Sequence, residues 1–463
     1  MIRQPCLVKP IPRTPTGQTP DLLALHRRYP DNYPFLLESV AHGPDQARYD
    51  ILFAFPGDRL QLDGDDCLYW RGSPVTGQSF LDALNHCWHE AAEGAGCEHA
   101  ELPFTGGWFV FLAYELVREI EPSLRNLKTS PAWPQAMAVR VPAAIIYDHD
   151  ARQYSIVAET EALLNTVWSD AKAMSASTCA GFEVPECAAI HEDDPVLHGA
   201  QVDRIKRYIR EGDVFQVNLS RLWRAMLTRS CNAADLYAAL RRTNPAPFAG
   251  LARIDYHYEI VSSSPERLIK TSRGMAYTRP IAGTYPRGID EKQDKLLMNE
   301  LVSHPKERAE HVMLIDLERN DLGRICKPGT VEVSELMTVE SYRHVHHIVS
   351  EVRGQLRPDI MPGEVIAATF PGGTITGCPK VRCMEIIAEL EDGPRGAYTG
   401  SMGYINHNGD MDLNILIRTM VKQDDEIHFR AGSGIVADSD PVRELEETRH
   451  KARGMMRSLR EEE

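Results

Sequence analysis

The ten cysteines include no Cys-x-x-Cys pair, which removes the simplest zinc and dithiol signatures. A chain of 463 residues is also too large to need disulfide staples, so the thiols are read as reduced. Nowhere do apolar residues run to the roughly eighteen that cross a bilayer. The opening Met1-Ile-Arg-Gln-Pro breaks into prolines before a signal-like apolar segment forms, so a cytoplasmic protein is expected. No block of five Lys/Arg occurs, and a formal charge of −15 repels nucleic acid and anionic membranes alike. Gly-x-Ser-x-Gly and the glutaminase-type Gly-x-Cys-x-Gly are both missing. Hydrolase readings therefore weaken, and glutamine nitrogen would have to be released by another polypeptide.

What is present, 43% hydrophobic and 25% charged residues, is ordinary for a globular enzyme. Residues 1–20 are rich in Pro, Thr and Gln and read as a flexible arm. Strand patterns follow at Tyr33–Ser39, Tyr49–Phe55, Phe104–Tyr114, Met137–Tyr147 and Gln153–Ala158, giving a β-rich N-terminal lobe over 21–170. The aperiodic stretch 171–194 reads as a linker. From 195 to 463 helical spacing, as in Val202–Glu211 and Asp290–Val302, alternates with strands such as Glu259–Ser264. The expected class is mixed α/β (α+β), without a regular βαβ repeat.

Two acidic pairs stand out. Glu307 and Glu310 share one face of a helical segment, and Glu444 with Glu447 repeats the spacing. Together they suit a hard cation such as Mg²⁺; singly they are ordinary solvated helix faces. Glycine-rich segments at Phe370–Lys380 and Arg430–Ser439 lack nucleotide signatures. They are turns, or backbone approaches to a carboxylate with Lys380, Arg382 or Arg418 supplying charge. His346 and His347 fall on a strand and must face opposite ways, so at most one enters a given site. Glu266 follows a strand end and a proline, where a carboxyl is either a general acid or a turn residue.

Gly212-Asp-Val-Phe-Gln-Val-Asn-Leu-Ser, Ser264-Pro-Glu-Arg, Thr278-Arg-Pro-Ile-Ala-Gly-Thr, Lys306-Glu-Arg-Ala-Glu-His, Asp316-Leu-Glu-Arg-Asn-Asp-Leu-Gly-Arg, Gly377-Cys-Pro-Lys-Val-Arg and Gly434-Ile-Val-Ala-Asp-Ser-Asp-Pro, in that order, resemble the chorismate-utilising enzymes. This family includes anthranilate, aminodeoxychorismate, isochorismate and salicylate synthases. The resemblance implies its large fold, two β-rich halves packed with helices around a central cleft over a chorismate-binding domain at 195–463. It implies Mg²⁺ as cofactor, held by Glu310 and Glu447 with Glu307 and Glu444 completing the shell, and a metal of this kind would offset the charge conflict between protein and substrate. Glu266 matches the acid that helps the C4 hydroxyl leave, and His347 the site histidine. Thr374, Tyr398, Arg418, Gly432 and Lys451 match substrate contacts.

Gln216 stands where water-adding members carry a lysine base. An amide cannot act so, which implies ammonia as nucleophile, delivered by a glutamine amidotransferase subunit. Gln216-Val-Asn-Leu-Ser, Asp316-Leu-Glu-Arg-Asn-Asp, Gly373-Thr-Ile-Thr-Gly and Leu413-Asn-Ile-Leu-Ile-Arg-Thr look more like aminodeoxychorismate synthase, which makes 4-amino-4-deoxychorismate for p-aminobenzoate and folate. Ala282, at the position of that enzyme's lysine nucleophile, instead resembles anthranilate synthase. So does Leu36-Leu-Glu-Ser, which places Leu37, Glu38 and Ser39 in a tryptophan pocket. The alternative from another class is a catalytically silent, ligand-binding regulatory subunit.

Overall fold

The protein is described from a computed structural model covering residues 4–11, 21–41, 48–92, 95–96, 101–175, 181–341 and 345–460. Two twelve-stranded sheets lie face to face, and alternation along each strand divides its side chains between two cores. Gly107–Leu112 shows how: Phe109 and Phe111 enter the core between the sheets, where Phe109 stacks on Phe35 of the other sheet at 3.9 Å. Trp108, Val110 and Leu112 turn the other way and bury against the helices Phe80–Ala92, Pro305–Gly323 and Pro362–Thr369. In the second sheet Ile51 and Phe53 face inward. Leu52 and Ala54 face outward, toward a layer that includes Leu22–Arg28, Glu161–Ser175 and Ala233–Thr243. Helices thus coat the outer faces of a sheet pair, a mixed architecture with one apolar core between the sheets and one on each outer face.

Both sheets draw strands from either side of the 171–194 boundary. Gly107–Leu112 pairs with Ser401–Asn406, and Phe35–Glu38 pairs with Phe248–Arg253. The stretch Met137–Tyr147, expected as one strand, is two. Pro142 has no N–H to give a ladder, and there the chain leaves Ala136–Val141 in one sheet for Ala143–Asp148 in the other.

Two loosely held segments need correction. Leu7–Ile11, inside the expected arm, is an edge strand paired antiparallel with Gln153–Ala158; residues 12–20 lie outside the described ones. Of the expected linker, 171–175 completes a helix, and Cys187–Glu192 pairs with Gln216–Leu227. In each case an open strand edge supplies partners for backbone groups that composition alone does not reveal.

Six elements frame the site: β1 (Gln216–Leu227), β2 (Ile281–Pro286), α1 (Pro305–Gly323), β3 (Val345–Gln355), β4 (Glu426–Ile435) and α2 (Pro441–Ser458). Strands β1 and β4 lie near one end of the second sheet, and β2 and β3 near one end of the first.

Candidate active site

Glu266 sits where the chain crosses between sheets, after Tyr258–Ser264 and before Arg267–Ser272. Pro265 precedes it, and the Glu266 N–H donates to Ser264 Oγ at 3.2 Å, which turns the carboxyl inward. Its Oε1 accepts from Thr374 Oγ1 at 2.7 Å. Burial pushes this carboxyl up to about 7, against the opposing pull of the Thr374 hydroxyl and the charges of Arg418 and Lys451. A carboxyl so placed carries a proton near neutral pH and can give it up, as a general acid must.

Opposite lie the acidic pairs. Gln216 Nε2 donates to Glu310 Oε1 at 2.7 Å, which joins β1 to α1. The Glu310 carboxyl is pushed up chiefly by burial and further by the charges of Glu307 and Glu447, so the two helices bring their acids within mutual repulsion. Glu307 reaches to 3.0 Å from where a Cβ on Gly283 would stand. Glu447 pairs with Lys451 at 2.8 Å, and the buried Glu444 Oε2 has no hydrogen-bond partner among the described residues. Among the described residues, no three Asp, Glu, His or Cys side chains form a closed metal cage. Magnesium does not require one, since it keeps several waters and takes one or two carboxylates together with substrate oxygens. Repelling carboxylates with an orphaned buried oxygen suit such a cation.

His346 and His347 are both buried and diverge as alternation requires. His346 is spent on structure, bonded to Ser341 Oγ at 2.7 Å and Asp294 Oδ1 at 2.9 Å. His347 bonds the Gly283 backbone, and its imidazole is lowered to about 4 by burial first and by the Arg418 charge second, so it is neutral at physiological pH. Gly283 has φ +67 at an irregularity in the β2–β3 pairing, and the methyl of Ala282 is buried beside it.

Lys451 Nζ donates to the Gly432 carbonyl at 3.0 Å. The Tyr398 hydroxyl stands 2.7 Å from the position of a Cβ on Gly432, so only glycine leaves this wall open. Arg418, partly buried with φ 50, stays near Glu266 and His347. The other two proposed cations are committed elsewhere, Lys380 to Asp321 and Arg382 to Asp213 and Glu385.

Sequence reasoning passed over Arg395. This buried guanidinium bonds Glu391 at 2.6 Å and the carbonyls of Asn218 at 2.9 Å and Ile375 at 3.3 Å, and lies 5.4 Å from the Tyr398 ring. It ties three walls of the site together. Its signal was its place three residues before Tyr398. Asn218 was also missed, although alternation puts it on the same face as Gln216.

Leu37, Glu38 and Ser39 line a separate cavity of about 1290 Å³ that Glu266, His347, Glu310 and Lys451 do not border. Ser39 Oγ donates to the carbonyls of Tyr49 and Pro247, and Glu38 is paired with Arg241 at 3.2 Å.

A family profile described as chorismate binding enzyme matches residues 41–457. An anthranilate synthase component I-like protein of Synechocystis is 40% identical over 400 residues, covering 84% of this chain and 80% of its own. Aminodeoxychorismate synthase component 1 of Bacillus subtilis is 38% identical over 417 residues, covering 86% and 84%. The crystal structure of anthranilate synthase component I from Streptococcus pneumoniae superposes with a TM-score of 0.77 at 31% identity, over 89% of this chain and 93% of that one. The chain belongs to the chorismate-binding enzyme family.

Proposed function

We propose that the chain is the chorismate-aminating component of an aminodeoxychorismate synthase, exchanging the C4 hydroxyl of chorismate for an amino group. The observation that carries amination is the Gln216–Glu310 hydrogen bond. Gln216 stands at the position that the resemblance gives to the water-activating lysine, and its neutral amide, bonded to Glu310, cannot act as a base, whereas ammonia needs none. Glu266 holds the proton that leaves with the hydroxyl, while Tyr398, Gly432, Lys451, Arg418 and Thr374 bind and orient the ring. His347, neutral and buried, is available to take up a proton. Glu310 and Glu447, backed by Glu307 and Glu444, would hold magnesium, which would supply positive charge for a chorismate carboxylate in a protein of net charge −15. Glu310→Gln and Glu447→Gln are each expected to raise the magnesium concentration for half-maximal turnover at least tenfold; near-normal response in both discards the metal assignment. A glutamine amidotransferase subunit supplies the ammonia.

The second reading is anthranilate synthase. It is favoured by Ala282, whose methyl offers no nucleophile, and by the cavity beside Leu37, Glu38 and Ser39, which would take tryptophan. A silent regulatory subunit has least support, because it would have no use for a carboxyl held protonated near neutral pH at Glu266. Incubation with chorismate, magnesium and an ammonium salt separates the three. Under our reading p-aminobenzoate forms only when an aminodeoxychorismate lyase is added. Anthranilate and pyruvate without lyase establish the second reading, and chorismate binding without turnover the third.

A further inference from the structure

Tyr398 belongs to no helix or strand, although its hydroxyl forms part of the site wall over Gly432. It lies in a turn between the helix Lys380–Leu390 and the strand Ser401–Asn406, and Arg395 holds it there twice. The Tyr398 N–H donates to the Arg395 carbonyl at 3.2 Å, which closes the turn. The Arg395 guanidinium then lies over the Tyr398 ring, 5.4 Å from its centre. One residue therefore constrains both the backbone and the ring of the other. The constraint matters because the Tyr398 hydroxyl stands only 2.7 Å from where a Cβ on Gly432 would be. A small rotation of the ring would either close that space or withdraw the hydroxyl from it.

The guanidinium is itself pinned on every edge. Nε and Nη2 donate to Glu391 at 2.9 and 2.6 Å, Nη2 also to the Asn218 carbonyl at 2.9 Å, and Nη1 to the Ile375 carbonyl and Thr399 Oγ1 at 3.3 Å each. Glu391 is fixed in turn by the Ser220 N–H at 2.8 Å and the Ser220 hydroxyl at 2.9 Å. Pairing with Glu391 would satisfy the charge alone. The donors spent on Asn218 and Ile375 reach strand β1 and the turn that carries Thr374, the hydrogen-bond partner of Glu266. Only a planar fork makes these bonds together, since the ammonium of lysine is a point charge on a flexible stem.

We propose that Arg395 is the positioning residue for the substrate wall, setting where the Tyr398 hydroxyl stands over Gly432 when chorismate binds. The inference rests on chorismate contacting Tyr398, as in the proposed function, and on neither product in particular. Its test is a double-mutant cycle, read by isothermal titration of the full chain with chorismate in the presence of magnesium. Tyr398→Phe removes the hydroxyl. Arg395→Lys keeps a charge opposite Glu391 and loses the fork, while Arg430, 3.5 Å from the same carboxylate, still pairs with it. Each change alone is expected to raise the chorismate Kd about tenfold, the worth of a hydrogen bond to a charged group. Together they should stay within about threefold of either single variant, because both act through one hydroxyl. Additive losses, about a hundredfold in the double variant, would mean that Arg395 serves the fold rather than Tyr398, and overturn the proposal. So would an Arg395→Lys chain that binds chorismate within twofold of wild type. Should that variant fail to fold, Glu391→Gln, which loosens the guanidinium without replacing it, carries the same expectations. A Tyr398→Phe chain that binds as wild type removes Tyr398 from the chorismate contacts of the proposed function, and the positioning role with it.

Discussion

Glu38 and Glu266 lie in different regions of the sheet sandwich, and burial pushes both carboxyls up to about 7. Their partners differ. Glu38 faces a guanidinium, Arg241, at 3.2 Å on the wall of the large cavity. Among the described residues Glu266 has no ion pair, only the Thr374 hydroxyl and the more distant charges of Arg418 and Lys451. A similar titration point therefore describes two kinds of carboxyl. One is an anchored half of a buried pair, whose loss leaves a cation uncompensated. The other is a lone acid whose ionised form is poorly met by the protein, a condition that costs stability and is useful only where a proton must be transferred.

The comparison breaks most sharply at Glu266. Glu266→Gln should lower kcat by about 10²- to 10⁴-fold, the usual worth of a general acid. It should also stabilise the fold at alkaline pH. The carboxyl titrates near 4.5 when unfolded and about 7 when folded, so it binds its proton more tightly in the native state. That contribution is complete below pH 4.5 and is lost as pH rises through 7, leaving a buried carboxylate that costs about 3 kcal/mol above it. Thermal unfolding should place the variant above wild type at pH 8 and level with it at pH 4.5. A lower melting temperature at pH 8 would mean that the ionised carboxylate has a partner after all. Wild-type kcat/KM should meanwhile fall with a midpoint near pH 7 as Glu266 ionises, while His347, titrating at about 4, contributes nothing to that limb.

At Glu38 the sign is the same and the size smaller. Its carboxyl is also pushed up to about 7 despite the Arg241 charge, so Glu38→Gln likewise removes a buried carboxylate at pH 8, but it leaves the Arg241 guanidinium, 26% exposed, without its partner, which offsets about 1–2 kcal/mol of the gain. Urea unfolding at pH 8 should therefore show Glu38→Gln gaining less than Glu266→Gln. Turnover should change less than twofold, because Glu266, His347, Glu310 and Lys451 do not border this cavity. Isothermal titration with tryptophan tests the cavity's occupant: heat of binding in wild type that vanishes in the variant supports the pocket, and no heat at millimolar ligand removes it.

The two regions also differ in how far they could be read from sequence. The short strands Phe35–Glu38 and Tyr49–Ala54 were legible because apolar and polar residues alternate or cluster between turns. Their pairing across the 171–194 stretch was not, because register between distant strands leaves no local mark, and Pro142 marks a change of sheet only once both sheets are known. Around Glu266 the motifs named the residues; alternation sent His346 and His347 to opposite faces, and the resemblance chose His347. Arg395 went unread because its work is done through backbone carbonyls, which every residue has.

The finest test of the Glu38–Glu266 contrast is the hydrogen bond that Glu266 alone relies on. Thr374 Oγ1 donates to its carboxylate at 2.7 Å, and this bond opposes the upward push of burial. Thr374→Val keeps the volume and removes the donor, so the carboxylate loses its nearest support and the acid should titrate higher. A neutral hydrogen bond is worth about 0.5–1.5 kcal/mol, which corresponds to a rise of at most about one pH unit in the alkaline limb of kcat/KM. Thr374→Ser, which retains the hydroxyl, should leave the limb in place even if its looser packing lowers the rate. The valine variant tests whether Glu266 is a lone acid: a limb that does not move would mean that another group, not this hydroxyl, meets the carboxylate in the working enzyme.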